Sequence, residues 1–274
     1  MADQHAHDEH SHASAHTPPP GAPAVDSAGR PWAGRTFQAH DTAYAGDDGS
    51  ADAGLVFALT AFHDAQVGAD AVVDALRGTR LLIPLMAHAG DEGLNEHGVR
   101  VDKTQELAIV TVAGPGGRAV LPAFSSVDTL RAWDPAARPV PADARRIAIA
   151  AASEQTELLV LDPGSPTEFG LRRPALWALA QDHDWVPSYA DDEVGAAFLA
   201  GAQDEPSVAS VGIAAGSTTA RLDGPEIVVQ LALRPGLDRS ALTALLERVQ
   251  QRWAASEVVA TRVDSMTVKV VAAT

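Results

Sequence analysis

Hydrophobic positions are sparse up to about residue 30 and then fall into segments of two different periods. Leu55, Val56, Leu59 and Phe62 recur at helical spacing. After a break near Gly68 so do Val72, Val73 and Leu76, which predicts two helices with Gly78 as the C-terminal cap. The run from Leu81 to Ala87 is short, branched and interrupted by proline, so it predicts a strand with Pro84 at an edge or a bulge. Residues 88–103 are polar and glycine-punctuated and predict a mobile loop, after which Leu107 to Val112 is a further strand.

The densest local signal is the stretch from Arg118 to Pro139. It begins as a strand through Val120, Leu121 and Phe124 and crosses into a helix at Ser125. Ser125 and Asp128 form an S-x-x-D capping pattern, Leu130 and Trp133 face inward one turn apart, and Asp134-Pro135 stops the helix. A strand feeding a helix N-terminus is also an anion-friendly place. Ser125, Asp128, Arg131, Trp133 and Arg138 are therefore the candidate ligand- or partner-binding residues, weighed against the simpler reading of a structural cap beside a buried tryptophan.

Further along, residues 141–154 predict an alanine-rich helix, Leu158 to Leu161 a strand, and Asp162-Pro163-Gly164 a turn. Pro174 opens a helix that points Leu176 and Leu179 inward, and Asp191-Asp192-Glu193 opens a short one. Then come strands at 208–214 and 227–233, an amphipathic helix from Leu237 to Ala255, and two more strands at 258–263 and 266–271. The fold class is α+β. A mixed-sheet α/β domain at 52–190 is followed by a smaller α/β domain at 191–274 with one long helix on a small sheet. Residues 1–30 read as a disordered tail and 31–51, with Trp32 and Phe37, as an arm.

Composition narrows the chemistry. Among 274 residues, 36 acidic against 20 basic side chains leave a formal charge of -16, which argues against a nucleic-acid partner. No cysteine is present, so disulfides, thiolate metal sites and thiol nucleophiles are excluded. The polar N-terminus and the lack of a long apolar window predict neither a signal peptide nor a membrane span, and hence a cytoplasmic location. His5, His7, His10, His12 and His16 can chelate a metal, but a tail without fixed geometry reads better as solvated, and no metal or other cofactor is expected.

Gly114 to Ala119 matches G-x-G-x-x-A after a strand. The fingerprint needs its glycines to open a helix, whereas a strand-like segment follows here, so a hairpin turn is expected instead. Hydrolase-elbow, Walker, zincin and kinase motifs are all missing, and His40, His63, His88, His97 and His183 read as surface residues rather than bases.

One combination of residues is more specific. Arg80-Leu81-Leu82-Ile83-Pro84, Leu121 to Ser126, Leu130-Arg131-Ala132-Trp133, Arg138-Pro139 and Leu159 to Gly164 together resemble the bacterial SseB family, the enhanced serine sensitivity proteins. The likeness covers about residues 52–185, and residues 206–272 resemble the family's C-terminal region. It implies an α/β fold with no established enzymatic activity, hence no catalytic residues to carry over. Low lysine against abundant arginine and alanine points to an actinobacterial source. The expected role is a non-catalytic protein that binds a partner protein or a small metabolite. The alternative is an enzyme with a dispersed site, acting on an amino-acid-like substrate held by Arg131 or Arg138.

Overall fold

A computed structural model describes residues 44–87, 92–94, 100–102, 107–153 and 156–273. The histidine tail, Trp32, Phe37, His40, His88 and His97 lie outside the described residues. Residues 47–274 form one compact unit. In chain order its elements are α1 (Ala53–His63), α2 (Ala69–Leu76), β1 (Arg80–Ala87), β2 (Glu92–Leu94), β3 (Arg100–Asp102), β4 (Leu107–Ile109), β5 (Val112–Ala113), β6 (Ala119–Ala123), α3 (Val127–Trp133) and β7 (Arg138–Asp143). They continue as α4 (Ala144–Ser153), β8 (Leu158–Leu161), β9 (Phe169–Leu171), α5 (Arg173–Gln181), α6 (Asp192–Ala202), β10 (Val208–Ala215), β11 (Ile227–Leu233), α7 (Arg239–Ala254), α8 (Glu257–Arg262) and β12 (Met266–Ala272). The fold is α+β.

Strand alternation explains how the first half is layered. Two sheets, ordered β4-β1-β7 and β5-β6-β8-β9, are joined by a bridge between Leu82 and Phe124. Successive side chains of a strand point to opposite faces. Leu81 and Ile83, Leu121 and Ala123, and Leu159 and Leu161 accordingly share the main core with α1, α2, α4 and α5. Their neighbours point the other way. Leu82 packs with Phe124, Leu130 and Trp133 under α3, while Val120, Leu158 and Val160 form a small cluster with Leu222.

The second half is a sheet ordered β10-β11-β12. Every second residue of β11, from Ile227 through Val229 and Leu231 to Leu233, is buried against a core that includes Phe198, Leu245, Val249 and Trp253. β10 and β11 run antiparallel, whereas β11 and β12 are parallel, a pairing that requires the crossover α7 provides. Glu205 ties α7 down by accepting from Arg248 at 2.9 and 2.7 Å and from Arg252 at 3.0 Å.

Several local expectations need correction. β1 is central rather than an edge among the described strands, and Pro84 sits where β1 exchanges its Phe124 contact for β4, opposite Pro139 of β7. A missing donor is harmless at such a change of neighbour. The expected helix at 141–154 begins only at Ala144, because residues 138–143 pair with β1 as an edge strand. The 107–112 segment divides between two sheets, and within the expected loop at 88–103 residues 92–94 pair with 100–102. Residues 258–262, expected to be extended, are helical, and Val263 is the C-cap. The Ser256 hydroxyl caps the start of α8 by accepting from Val259 N, and Arg173 Nη2 donates to the Ala260 and Val263 carbonyls at its end.

Candidate functional site

The serine at the β6–α3 junction is committed to structure. The cap of α3 is Ser126, one residue later than the sequence pattern suggests. Its Oγ accepts from Thr129 N at 3.1 Å while Thr129 Oγ1 accepts from Ser126 N at 3.3 Å. Ser125 is buried, and its hydroxyl and amide donate to the two carboxylate oxygens of Asp162 at 2.6 and 2.8 Å. Arg80 donates to the Ser125 carbonyl at 2.9 Å and to Asp47 at 2.7 Å. Asp128, Arg131 and Arg138 are exposed, and Trp133 is half-buried on Phe124 with ring centroids 5.3 Å apart. The structure thus ties Ser125 to Asp162 rather than to Asp128. Ser126→Ala is expected to cost about 1 kcal/mol, and Asp128→Ala less than about 0.5 kcal/mol in urea titration. Equal losses would restore the S-x-x-D reading.

The glycine segment after β5 is a hairpin turn. Gly114 N donates to the Arg118 carbonyl at 2.8 Å, and Gly116 and Gly117 take φ of 66° and 78°. No helix follows. β6 pairs back on β5, so no helix N-terminus meets a pyrophosphate.

Polar convergence occurs elsewhere, at the junction of the two halves. The loop at 216–226 leaves β10 and lies on β9. Gly170 N donates to the Ala220 carbonyl at 2.8 Å, and a Cβ on Gly170 would meet Leu222 at 2.6 Å and the Ala220 carbonyl oxygen at 2.9 Å. Only glycine permits that approach. Beside it, Asp264, whose side chain is 1% exposed, receives Arg118 in a two-pronged contact at 3.0 and 2.7 Å and Arg172 at 3.2 Å. Arg172 also donates to Ser265 Oγ and to the Gly224 carbonyl at 2.6 Å.

Glu226 completes the network. Its Oε1 accepts from the Ser188 hydroxyl and its Oε2 from the Asp264 amide, both at 2.6 Å. Burial pushes the Glu226 carboxyl up, and the Asp264 charge adds to this against those two donors. Burial also acts to raise Asp264, but the hydrogen bonds and charges of Arg118 and Arg172 win and hold it below the ordinary carboxylate range.

Against this network lies a cavity of about 60 Å³. Phe62, Phe169, Trp185 and Tyr189 supply its aromatic surface, with Phe62 edge-on to Phe169 at 5.1 Å. Arg172, Arg221, Glu226 and Ser217 supply its polar groups. Burial, followed by the charges of Asp70 and Glu226, pushes the Tyr189 phenol up. Arg221 makes one hydrogen bond among the described residues, a 3.3 Å contact to the Ser165 carbonyl, and no ion pair. Among the described residues no histidine lines the cavity, and its Ser217 hydroxyl shares a hydrogen bond with Thr219 at 3.0 Å.

The first half is also where a known family is found. Residues 55–178 match the family model described as SseB protein N-terminal domain. Over that span the chain carries an SseB N-terminal domain. No curated protein and no solved structure matches it. The matched SseB span runs from α1 into α5 and supplies Phe62, Phe169 and Arg172 of the cavity, whereas Trp185, Tyr189, Arg221 and Glu226 lie beyond it. Sequence reasoning missed the cavity because its residues range from 62 to 226, with no motif linking them. The one local signal was Gly170, a glycine inside a strand, which marks the approach of another backbone.

Proposed function

We propose that this chain is a non-catalytic cytoplasmic protein of the SseB family that binds a small metabolite in the cavity where its two halves meet. The observation that carries the reading is the concave, aromatic-lined space with a few convergent polar groups, one of them an arginine without an ion pair among the described residues. A non-catalytic role is supported by the state of those groups. The carboxylate oxygens of Glu226 are each engaged, the Tyr189 phenol is held neutral, and the Ser217 hydroxyl is hydrogen-bonded to Thr219. No helix among the described residues is long and apolar enough to cross a membrane, which is compatible with the cytoplasmic reading.

A partner protein is the second reading. It is favoured by Phe57 and Val56, neighbours on α1 that are 71% and 45% exposed. A thermal-shift screen of small metabolites against the full chain separates the readings. The expected result is at least one compound that raises the melting temperature and is recovered unchanged after prolonged incubation. Turnover of that compound would establish the enzyme alternative. A screen without hits, together with a protein that co-purifies reproducibly, would favour the partner role.

A further inference from the structure

We infer that the cavity takes a short-chain monocarboxylate, with its carboxylate on Arg221 and its carbon chain against Phe62, Phe169 and Trp185. This rests on reading the cavity as a metabolite site and adds the chemical class of the occupant.

Charge decides the head group. Arg172 is committed to Asp264, Ser265 and the Gly224 carbonyl, and both oxygens of Glu226 already accept hydrogen bonds from the protein. The remaining cation in the lining is Arg221, whose guanidinium has donors to spare after one contact, to the Ser165 carbonyl, among the described residues. A planar carboxylate matches two parallel N–H donors of such a fork, and the partly enclosed site strengthens the pairing. An ammonium ligand would meet the like charge of Arg221, and each oxygen of Glu226 already accepts one hydrogen bond from the protein.

Size and lining decide the rest. About 60 Å³ is well under the roughly 150 Å³ of a cavity that takes up benzene, so the ligand is a carboxylate with only a few carbons. The aromatic surface favours a carbon chain there and disfavours a doubly charged inorganic anion, which would lose hydration without enough donors to replace it.

Propionate, its neutral counterpart propionamide and inorganic phosphate can be titrated into the full chain while the Trp185 indole N–H is followed by nuclear magnetic resonance. Propionate is expected to saturate, with propionamide and phosphate at least tenfold weaker. Arg221→Gln should weaken propionate at least tenfold while Arg138→Ala leaves it unchanged. The carboxylate assignment is overturned if propionamide binds as tightly as propionate or if Arg221→Gln has no effect. A compound from the metabolite screen that still depends on Trp185 would then leave the cavity reading intact. If neither propionate nor any screened compound perturbs Trp185, both fall.

Discussion

Asp264→Ala is expected to lower the unfolding free energy by about 3–5 kcal/mol, because it breaks a buried ion-pair cluster from its centre. The carboxylate is nearly inaccessible, and its removal strands Arg172, whose side chain is only 12% exposed, together with one face of Arg118. Arg118→Ala should cost much less. Its side chain is one-third exposed and already shares Glu157, so solvent screens what it contributes. Urea titration of the two variants beside the wild type checks the order. A loss below about 1 kcal/mol for Asp264→Ala would show that the cluster holds nothing together.

The same residue sets a pH dependence. Asp264 has its folded pKa below its unfolded value, so its stabilising contribution is complete above the ordinary carboxylate range and is lost as pH falls through the lowered folded value. Glu226 works in the opposite sense. Its raised pKa favours the protonated form in the folded state, so stability is lost as pH rises through that raised value. The stability gap between wild type and Asp264→Ala should therefore close on acidification. A gap that stays constant through the acid limb would contradict the assignment.

Trp253→Ala carries the second large effect, about 3–5 kcal/mol for truncating a fully buried tryptophan. The indole lies edge-on to Phe198 at 5.1 Å and donates its Nε1–H to the Phe198 carbonyl at 2.9 Å, so α6 and α7 lose both packing and a specific bond. Trp253→Phe keeps most of the apolar contact and should recover about half of the loss. Chemical denaturation with the midpoint and slope fitted separately checks this. Indistinguishable midpoints for wild type and Trp253→Ala would remove Trp253 as the centre of the second core.

How much of this was legible follows from where each determinant lies. α1, α2, β8, β11 and α7 carry their own periodicity and turn residues, so their placement needs nothing from afar. α8 does not. Its Val258-Val259 pair favours a strand, and what makes it helical includes Arg173, which reaches its C-terminal carbonyls from 87 and 90 positions away. β7 hides behind Pro139 and Pro141, which suit only an edge, and that edge exists because β1 is beside it.

The α3 cap shows a narrower failure. Ser125 and Ser126 both precede the helix with a suitable partner three positions on, and Asp162, 37 residues away, decides that Ser125 is used elsewhere. The site was legible least of all. Arg131 and Arg138 stand out in the sequence but are exposed, whereas Arg172 and Arg221, unremarkable in their local context, line the cavity because a loop from one half settles on a strand of the other.

The central claim is that binding resides in this cavity rather than along the Arg118 to Pro139 stretch. It is tested most directly by the melting-temperature shift that a saturating metabolite induces in wild type, Trp185→Ala and Arg138→Ala, each relative to its own unliganded state. A ligand at one hundred times its Kd adds about 2.7 kcal/mol, or roughly 5–10 °C for a unit of this size. That shift should appear in wild type and Arg138→Ala and shrink to near zero in Trp185→Ala. A shift retained in Trp185→Ala and abolished in Arg138→Ala would contradict the account.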